Sequence, residues 1–242
     1  MKVANGVEML DLKMNFLGES RSIHPTLLFD DDAAVLVDVG MPGQLEDIKQ
    51  AMAAVSVPFD RLKAVILTHQ DIDHIGAIEQ VLAAKSVPVY AHAEDKPYIQ
   101  GEKEPIKMNR NRVEQLLANA PEEVRAQMKA MFGHPPKAAV TYTVEDGEVL
   151  PFFGGVTVVF TPGHTPGHIS LYHNATKTVI AGDSTVSQDG KLLGPAERAT
   201  PDMPLALASL KKFTAYDVDR VICYHGGLCN EQVNEQFRAL VK

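Results

Sequence analysis

Residues 69–74 read His-Gln-Asp-Ile-Asp-His and follow an apolar run, Ala64, Val65, Ile66 and Leu67, closed by Thr68. Four side chains able to bind a metal, His69, Asp71, Asp73 and His74, thus fall within six residues at the point where a buried strand should end. Such a cluster is costly without a cation. Close carboxylates repel one another, and ring nitrogens left unpaired lose their hydration without return. A divalent ion, or a pair of them, removes both costs. The alternative is a solvated acidic loop in which Asp73 caps the helix that follows.

Three residues downstream weigh against that alternative, because three other apolar runs end in the same way. Val158, Val159 and Phe160, with Thr161, Pro162 and Gly163, lead into His164. Thr178 to Gly182 lead into Asp183, and Val221 to Tyr224 lead into His225, which Gly226 and Gly227 follow. Glycine or proline beside each of these residues lets the backbone turn sharply and approach an ion closely.

The elements that must position these residues follow from periodicity. Apolar runs at 22–29 and 33–39, joined by Asp30, Asp31 and Asp32, read as a strand pair, and Gly40 to Gly43 break the second strand. Helical spacing at 44–55 puts Leu45, Ile48, Met52 and Val55 on one face. Residues 62–68 read as a buried strand, 75–84 as a helix and 87–91 as a short strand. Strands are expected again at 139–144, 148–150, 156–160, 169–173 and 178–181, with a turn over 172–176. A helix at 202–213, a strand at 220–223 and a helix at 231–240 close the chain. Two halves of similar strand-then-helix grammar suggest two sheets with helices outside them. Residues 94–137 differ in being rich in charge and punctuated by Pro97, Pro105, Pro121, Pro135 and Pro136. They read as a helical insertion or cap, with helices at 112–118 and 122–132, on an otherwise single domain spanning 1–242.

Bulk properties narrow the partners. The chain has 242 residues, 45% of them hydrophobic, which is enough for a sizeable core, and a net charge of −8. That balance argues against nucleic acid or an anionic membrane as partner, since both need clustered Lys and Arg. The first residues lack the apolar stretch of a signal peptide, and no run approaches the length of a membrane span. Two cysteines, Cys223 and Cys229, read as free thiols and suggest a cytoplasmic setting. A small-molecule substrate, with the chain as monomer or homodimer, is the expectation.

The order His-x-Asp-x-Asp-His, Gly-His, Gly-Asp and a final His resembles the metallo-β-lactamase-fold hydrolases, which include glyoxalase II and lactonases. The similarity runs from the strand containing Asp38 to His225. It implies an α/β (α+β) four-layer αβ/βα sandwich with the site at one edge of the two sheets. Carried over residue by residue, it implies that His69, residue 71 and His164 hold one metal, that Asp73, His74 and His225 hold a second, and that Asp183 bridges them. A metal-bridging hydroxide would then be the nucleophile, with Asp73 orienting it or shuttling a proton. One position departs from the pattern, which usually has His where this chain has Asp71. A carboxylate there is harder and anionic, so zinc, the family's frequent choice, is joined by manganese or iron.

The resemblance implies a dinuclear hydrolase of a small ester, lactone or thioester. A small-molecule phosphodiesterase, and a di-iron oxidoreductase or ligand-binding member of the fold, are the alternatives. Thr185 and its neighbours supply no Tyr after Asp183, as homoserine-lactone lactonases often have, and the chain ends seventeen residues after His225, without the basic helical extension of glyoxalase II. Other residues receive structural readings: His168 packing or hydrogen bonding, His24, His92, Tyr98 and His134 outside the chemistry, and Cys223 in the core, while Ser184 and Thr185 are balanced between donating to a substrate oxygen and capping a helix or turn. Met108, Met128 and Met131 read as core packing. Asp38 is balanced between orienting a ligand and forming a turn.

Overall fold

The alternation within the strands builds two packed sheets with helices outside each. The computed structural model describes residues 1–242 apart from 17, 18, 119, 123, 124, 127 and 129–132. The chain opens with β1 (Lys2–Ala4) paired to β2 (Val7–Met9), and β3 (Leu12–Phe16) paired to β4 (Glu19–Ile23). It continues through β5 (Thr26–Phe29), β6 (Ala34–Val37), β7 (Leu62–Ile66), β8 (Val89–His92) and β9 (Tyr142–Val144). The first sheet has the order β1-β2-β5-β6-β7-β8-β9, antiparallel up to β6 and parallel from β6 to β9. Helices α1 (Leu45–Ala54), α2 (Ile72–Ile75) and α3 (Ile78–Ala84) fill the crossovers that parallel pairing demands.

The second sheet is made of β10 (Val149–Leu150), β11 (Val156–Phe160), β12 (Ile169–His173), β13 (Thr178–Ile180), β16 (Arg220–Cys223) and β17 (Gly227–Cys229), in that order. Its one parallel pair is β13 with β16. A small hairpin, β14 (Val186–Gln188) with β15 (Lys191–Leu193), lies between β13 and β16 in the chain.

Side chains on the two faces of each strand go to different cores. Val35, Val37, Ala64 and Ile66 pack against Val156, Val158, Ile169, Leu171, Ile180 and Ile222 between the sheets. Leu36, Val65 and Leu67 meet Ile48, Met52, Ile78 and Val81 on the outer side of the first sheet. Val179, Val221 and Cys223 meet Leu210, Phe213 and Phe237 on the outer side of the second. Each fully buried Val, Leu, Ile or Phe contributes about 1.5–3 kcal/mol, so the three cores are the principal source of stability. The result is the α/β, four-layer sandwich of the metallo-β-lactamase fold.

Most expected elements are present with trimmed ends. The helix expected at 75–84 is two: α2 begins at Ile72, and Gly76 and Ala77 separate it from α3. Asp71, not Asp73, stands at the N-cap of α2, and it makes no side-chain cap hydrogen bond. The helix expected at 202–213 is α6 (Met203–Leu210), capped by Asp202, which accepts from the Leu205 amide, and it tightens into a 3-10 turn over Lys211–Ala215. The chain ends in α7 (Val233–Leu240). In the region 94–137, α4 (Lys96–Ile99) and α5 (Arg110–Ala118) are formed. The second helix expected there, over 122–132, and with it Met131, falls largely outside the described residues.

Candidate metal centre

The four loops that the sequence singles out converge at one edge of the two sheets. β7 delivers the first. Its continuation, Thr68, donates both its amide (2.8 Å) and its hydroxyl (2.7 Å) to the carboxylate of Asp38. Asp38 itself sits at the end of β6 with φ of +61°, and its Oδ2 lies 2.8 Å from His74 Nδ1. It therefore does both things expected of it, turning the chain and orienting a candidate ligand. At the second and fourth loops the turn is glycine's. Gly163 (φ +128°) precedes His164, and a Cβ there would run into the Ala206 backbone. Gly226 (φ +100°) follows His225, and a Cβ there would strike the Ser187 carbonyl.

These contacts fix the histidine tautomers. The Thr68 hydroxyl proton goes to Asp38, so Thr68 accepts from His69 Nδ1 at 3.0 Å. The Thr200 hydroxyl donates to the Ala196 carbonyl (2.9 Å), so it accepts from His164 Nδ1 at 3.2 Å. With Nδ1 donating in His69, His74 and His164, each Nε2, when unprotonated, turns its lone pair toward the space between the loops.

The ligand atoms there form two groups. His69, Asp71, His164 and Asp183 make one, and Asp73, His74 and His225 the other, with all atoms within each group no more than 4.8 Å apart. Asp71 Oδ2 is 3.2 Å from both His69 Nε2 and His164 Nε2. Asp183 reaches both groups, with Oδ2 3.2 Å from His164 Nε2 and 3.5 Å from His225 Nε2, and Oδ1 3.3 Å from His74 Nε2. Asp73 Oδ2 is 3.2 Å from His225 Nε2. Ligand atoms about 2.0–2.2 Å from a tetrahedral ion stand roughly 3.3–3.5 Å from one another; the close pairs here run from 3.2 to 3.9 Å, a range that a bound ion could draw together.

Three buried atoms in the cluster, His69 Nε2, His74 Nε2 and Asp183 Oδ1, have no hydrogen-bond partner among the described residues. Leaving such atoms unmet costs about 1–3 kcal/mol each, a cost that bound cations would remove. Electrostatics point the same way. Burial would lower the His225 pKa, but Asp183 and Asp73 outweigh it and raise it to about 10. His74 is likewise held well above its ordinary value against burial, by Asp183, Asp38 and Asp73. Burial and the neighbouring His74 push His69 down to about 4. Asp183 is held well below the usual carboxylate range despite its burial, by His225, His74 and His164. Protons on His225 and His74 thus do the neutralising that a divalent ion would do. The residues fit a pair of divalent ions, one per group with Asp183 between them.

Several supporting residues carry no signal in the sequence. Asp95, fully buried, accepts from Gln70 N (2.9 Å), Gln70 Nε2 (3.3 Å), Thr165 Oγ1 (2.8 Å) and Gly167 N (2.7 Å), tying the His69 loop to the His164 loop. Tyr224 stacks on His74 with ring centroids 3.7 Å apart, and its hydroxyl donates to the Asp73 carbonyl. Lys107, from the 94–137 region, places Nζ 2.5 Å from Asp71 Oδ2 and 2.6 Å from His164 Nε2.

The remaining candidates divide. His168 Nε2 accepts the Asp183 amide (2.9 Å) and its Nδ1 bonds Thr161 Oγ1 (2.8 Å), so it positions Asp183 and has no lone pair left for a metal. Ser184 donates to the Ala181 carbonyl, a turn role, and Thr185 lies 3.3 Å from the Cys223 sulfur in the core. Cys223 and Cys229 are buried free thiols. His92 stacks on Phe160, and His134 is exposed. Met128 is buried. Tyr98 and Met108, read from sequence as structural, line a cavity of about 310 Å³ that Asp71, Asp73, Lys107 and Arg198 also border. Arg198 also borders a second cavity of about 840 Å³ that includes Asp183, His225 and His24. His24 is buried, with Nδ1 2.9 Å from the Leu10 carbonyl.

The family model described as the metallo-beta-lactamase superfamily matches residues 21–225, so the chain belongs to that superfamily. It is 33% identical over 204 residues to the probable metallo-hydrolase YflN of Bacillus subtilis (strain 168), covering 79% of this chain and 75% of that one. It is 29% identical over 194 residues to the hydroxyacylglutathione hydrolase of Alkalilimnicola ehrlichii, covering 79% of this chain and 56% of that one. Among solved structures, a metallo-beta-lactamase family protein from Thermus thermophilus superposes with a TM-score of 0.73 at 20% identity, covering 99% of this chain and 79% of that one.

Proposed function

We propose that this hydrolytic enzyme of the metallo-beta-lactamase superfamily cleaves a small ester, lactone or thioester with two divalent ions. His69, Asp71 and His164 would hold the first, Asp73, His74 and His225 would hold the second, and Asp183, which reaches both groups, would serve both. The observation that carries this reading is the clustering of buried His and Asp ligand atoms in two groups, among them His69 Nε2, His74 Nε2 and Asp183 Oδ1, which make no hydrogen bond among the described residues. Bound there, the ions would lower the pKa of water and polarise a substrate carbonyl oxygen.

The chain's own residues supply the rest. Asp38, Thr68 and Thr200 hold the imidazoles in the tautomer that leaves Nε2 free. His168 fixes the Asp183 amide and so the aim of its carboxylate. Asp73, whose side chain is 19% exposed and borders the 310 Å³ cavity, is placed to take up a proton at its carboxylate and return it to the leaving group. The cavity volume suits a small molecule rather than a polymer. The name of the Alkalilimnicola relative, hydroxyacylglutathione hydrolase, favours a thioester among the three bond types. Asp71 admits manganese or iron beside zinc. We take residues 1–242 as one domain with a cap at 94–137. The free thiols favour a cytoplasmic setting, and no described helix is long and apolar enough to cross a membrane.

A second reading, a small-molecule phosphodiesterase, is favoured by three cations, Lys107, Arg112 and Arg198, on the cavity wall. A panel of lactones, thioesters, aryl esters and phosphodiesters, each run with zinc, manganese and iron separately, tests both. Metal-dependent turnover of a carbonyl substrate is expected. Turnover confined to phosphodiesters would replace the first reading with the second, and turnover unaffected by chelation would end both.

A further inference from the structure

We propose that Lys107 is a built-in competitor for the first metal position. Its amine and a metal ion exclude each other at His164 and Asp71, so the second position fills first and the first fills only as Lys107 leaves. The inference rests on the dinuclear reading above.

Lys107 Nζ lies 2.5 Å from Asp71 Oδ2 and 2.6 Å from His164 Nε2, with its side chain only 17% exposed. Its placement is built by its surroundings. The preceding amide, of Ile106, donates to Gln70 Oε1 at 3.1 Å, and Gln70 is itself held by Asp95 through its backbone and side-chain nitrogens. Gln70 lies in the chain between His69 and Asp71, so one anchor sets both the motif loop and the residue next to Lys107.

The exclusion follows from valence. Because His164 Nδ1 donates to Thr200, Nε2 has one in-plane lone pair. That lone pair can accept from Lys107 or bind a metal, but not both. Asp71 Oδ2 sits 3.2 Å from His69 Nε2 as well, so an ion binding both histidines through that oxygen meets the amine again. Among the described residues, the ion-pair partners of Asp73, His74 and His225 are one another, Asp183 and Asp38. On leaving, Lys107 enters the cavity that it already borders, beside Arg112 and Arg198. By linkage, whatever factor the metal must overcome to displace Lys107 is the factor by which removing Lys107 tightens the first position.

Calorimetric titration of the metal-stripped full chain with zinc, and separately with manganese, tests this against Lys107→Ala and Lys107→Met. The expected result is two unequal binding steps in the wild type, with the weaker step tightened about tenfold or more in both variants and the stronger step unchanged. One equivalent in the wild type against two in the variants is the same exclusion at its strong limit. In parallel, amine acylation read by mass spectrometry should label Lys107 faster once the second equivalent is bound to the wild type. Two metals bound with the same pair of affinities in all three proteins would overturn the inference and leave the dinuclear site standing. Loss of the weaker step in the variants would overturn it too, making Lys107 a support for the metal. No metal bound by any of the three would sink both readings.

Discussion

Tyr224 lies flat on His74, ring centroids 3.7 Å apart and planes 28° from parallel, while its hydroxyl donates to the carbonyl of Asp73. One side chain from the end of β16 therefore holds two consecutive residues of the His69–His74 loop from the opposite sheet. Tyr224→Phe keeps the stack and removes the donor. Urea unfolding should show a loss of about 1–2 kcal/mol, the cost of a buried carbonyl left unpaired. Metal affinity should fall at the Asp73–His74–His225 position and hold at the other, and an equal fall at both would refute the local role.

Asp95 is a larger joint. Asp95→Ala leaves the Gln70 and Gly167 amides, the Gln70 side chain and the Thr165 hydroxyl without their acceptor. A loss of about 3–5 kcal/mol is expected, well above a surface substitution. Thermal unfolding measures it, and a change below about 1 kcal/mol would show that the two loops hold their places without it.

The raised pKa of His225 would make metal uptake at the proposed site a proton-releasing event. Its folded value of about 10 lies above the ordinary 6.5. In the metal-free protein, protonated His225 therefore adds stability that is complete below about pH 6.5 and is lost as pH rises toward 10. A metal needs the unprotonated ring, so binding at neutral pH expels that proton, and His74, raised for similar reasons, adds another. Calorimetry at pH 7 in two buffers of different ionisation enthalpy should find one to two protons released per chain, roughly, with affinity rising with pH. Zero protons would mean that the pair is neutral before the metal arrives.

Asp183→Ala removes the one carboxylate that touches both groups of ligand atoms. Both metals and all activity should be lost together, as measured by elemental analysis after gel filtration. A variant retaining two metals per chain at full rate would overturn the ligand assignment.

Asp71→His replaces a hard anion with imidazole and removes the carboxylate that Lys107 pairs with at 2.5 Å. Selectivity should shift toward zinc over manganese. Competition dialysis against both ions reads the shift, and unchanged selectivity would refute the role given to Asp71.

The histidines and aspartates of the centre are legible in sequence because each ends an apolar run, and a polar group at the end of a buried strand needs a reason to be there. His69, Asp71, Asp73, His74, His164, Asp183 and His225 all carry that mark, and β11, β12 and β16 run over the residues their patterns predict. What holds them in place does not carry it. Asp95 lies in the run Glu94-Asp95-Lys96, which reads as solvated surface, and only tertiary packing removes it from water. Lys107 stands among prolines and charges, and no spacing rule links residue 107 to residues 71 and 164. Tyr224 reads as one more apolar residue of a strand. The short hairpins β1–β2, β3–β4 and β14–β15 are equally hard to see, because strands of three to five residues have too few positions to display alternation.

Each group of ligand atoms draws on both sheets: His69 and Asp71 with His164 and Asp183 in one, Asp73 and His74 with His225 in the other. Asp71 and His164 stand 93 positions apart in the chain. An ion in either group would therefore be a rivet through the plane where the two halves of the molecule meet. While it is in place, the halves would not part at that edge without losing a ligand. A substrate would then reach the ligands past the residues that border the cavities, Tyr98, Lys107, Met108 and Arg112 on one side and Arg198 and Ala199 on the other.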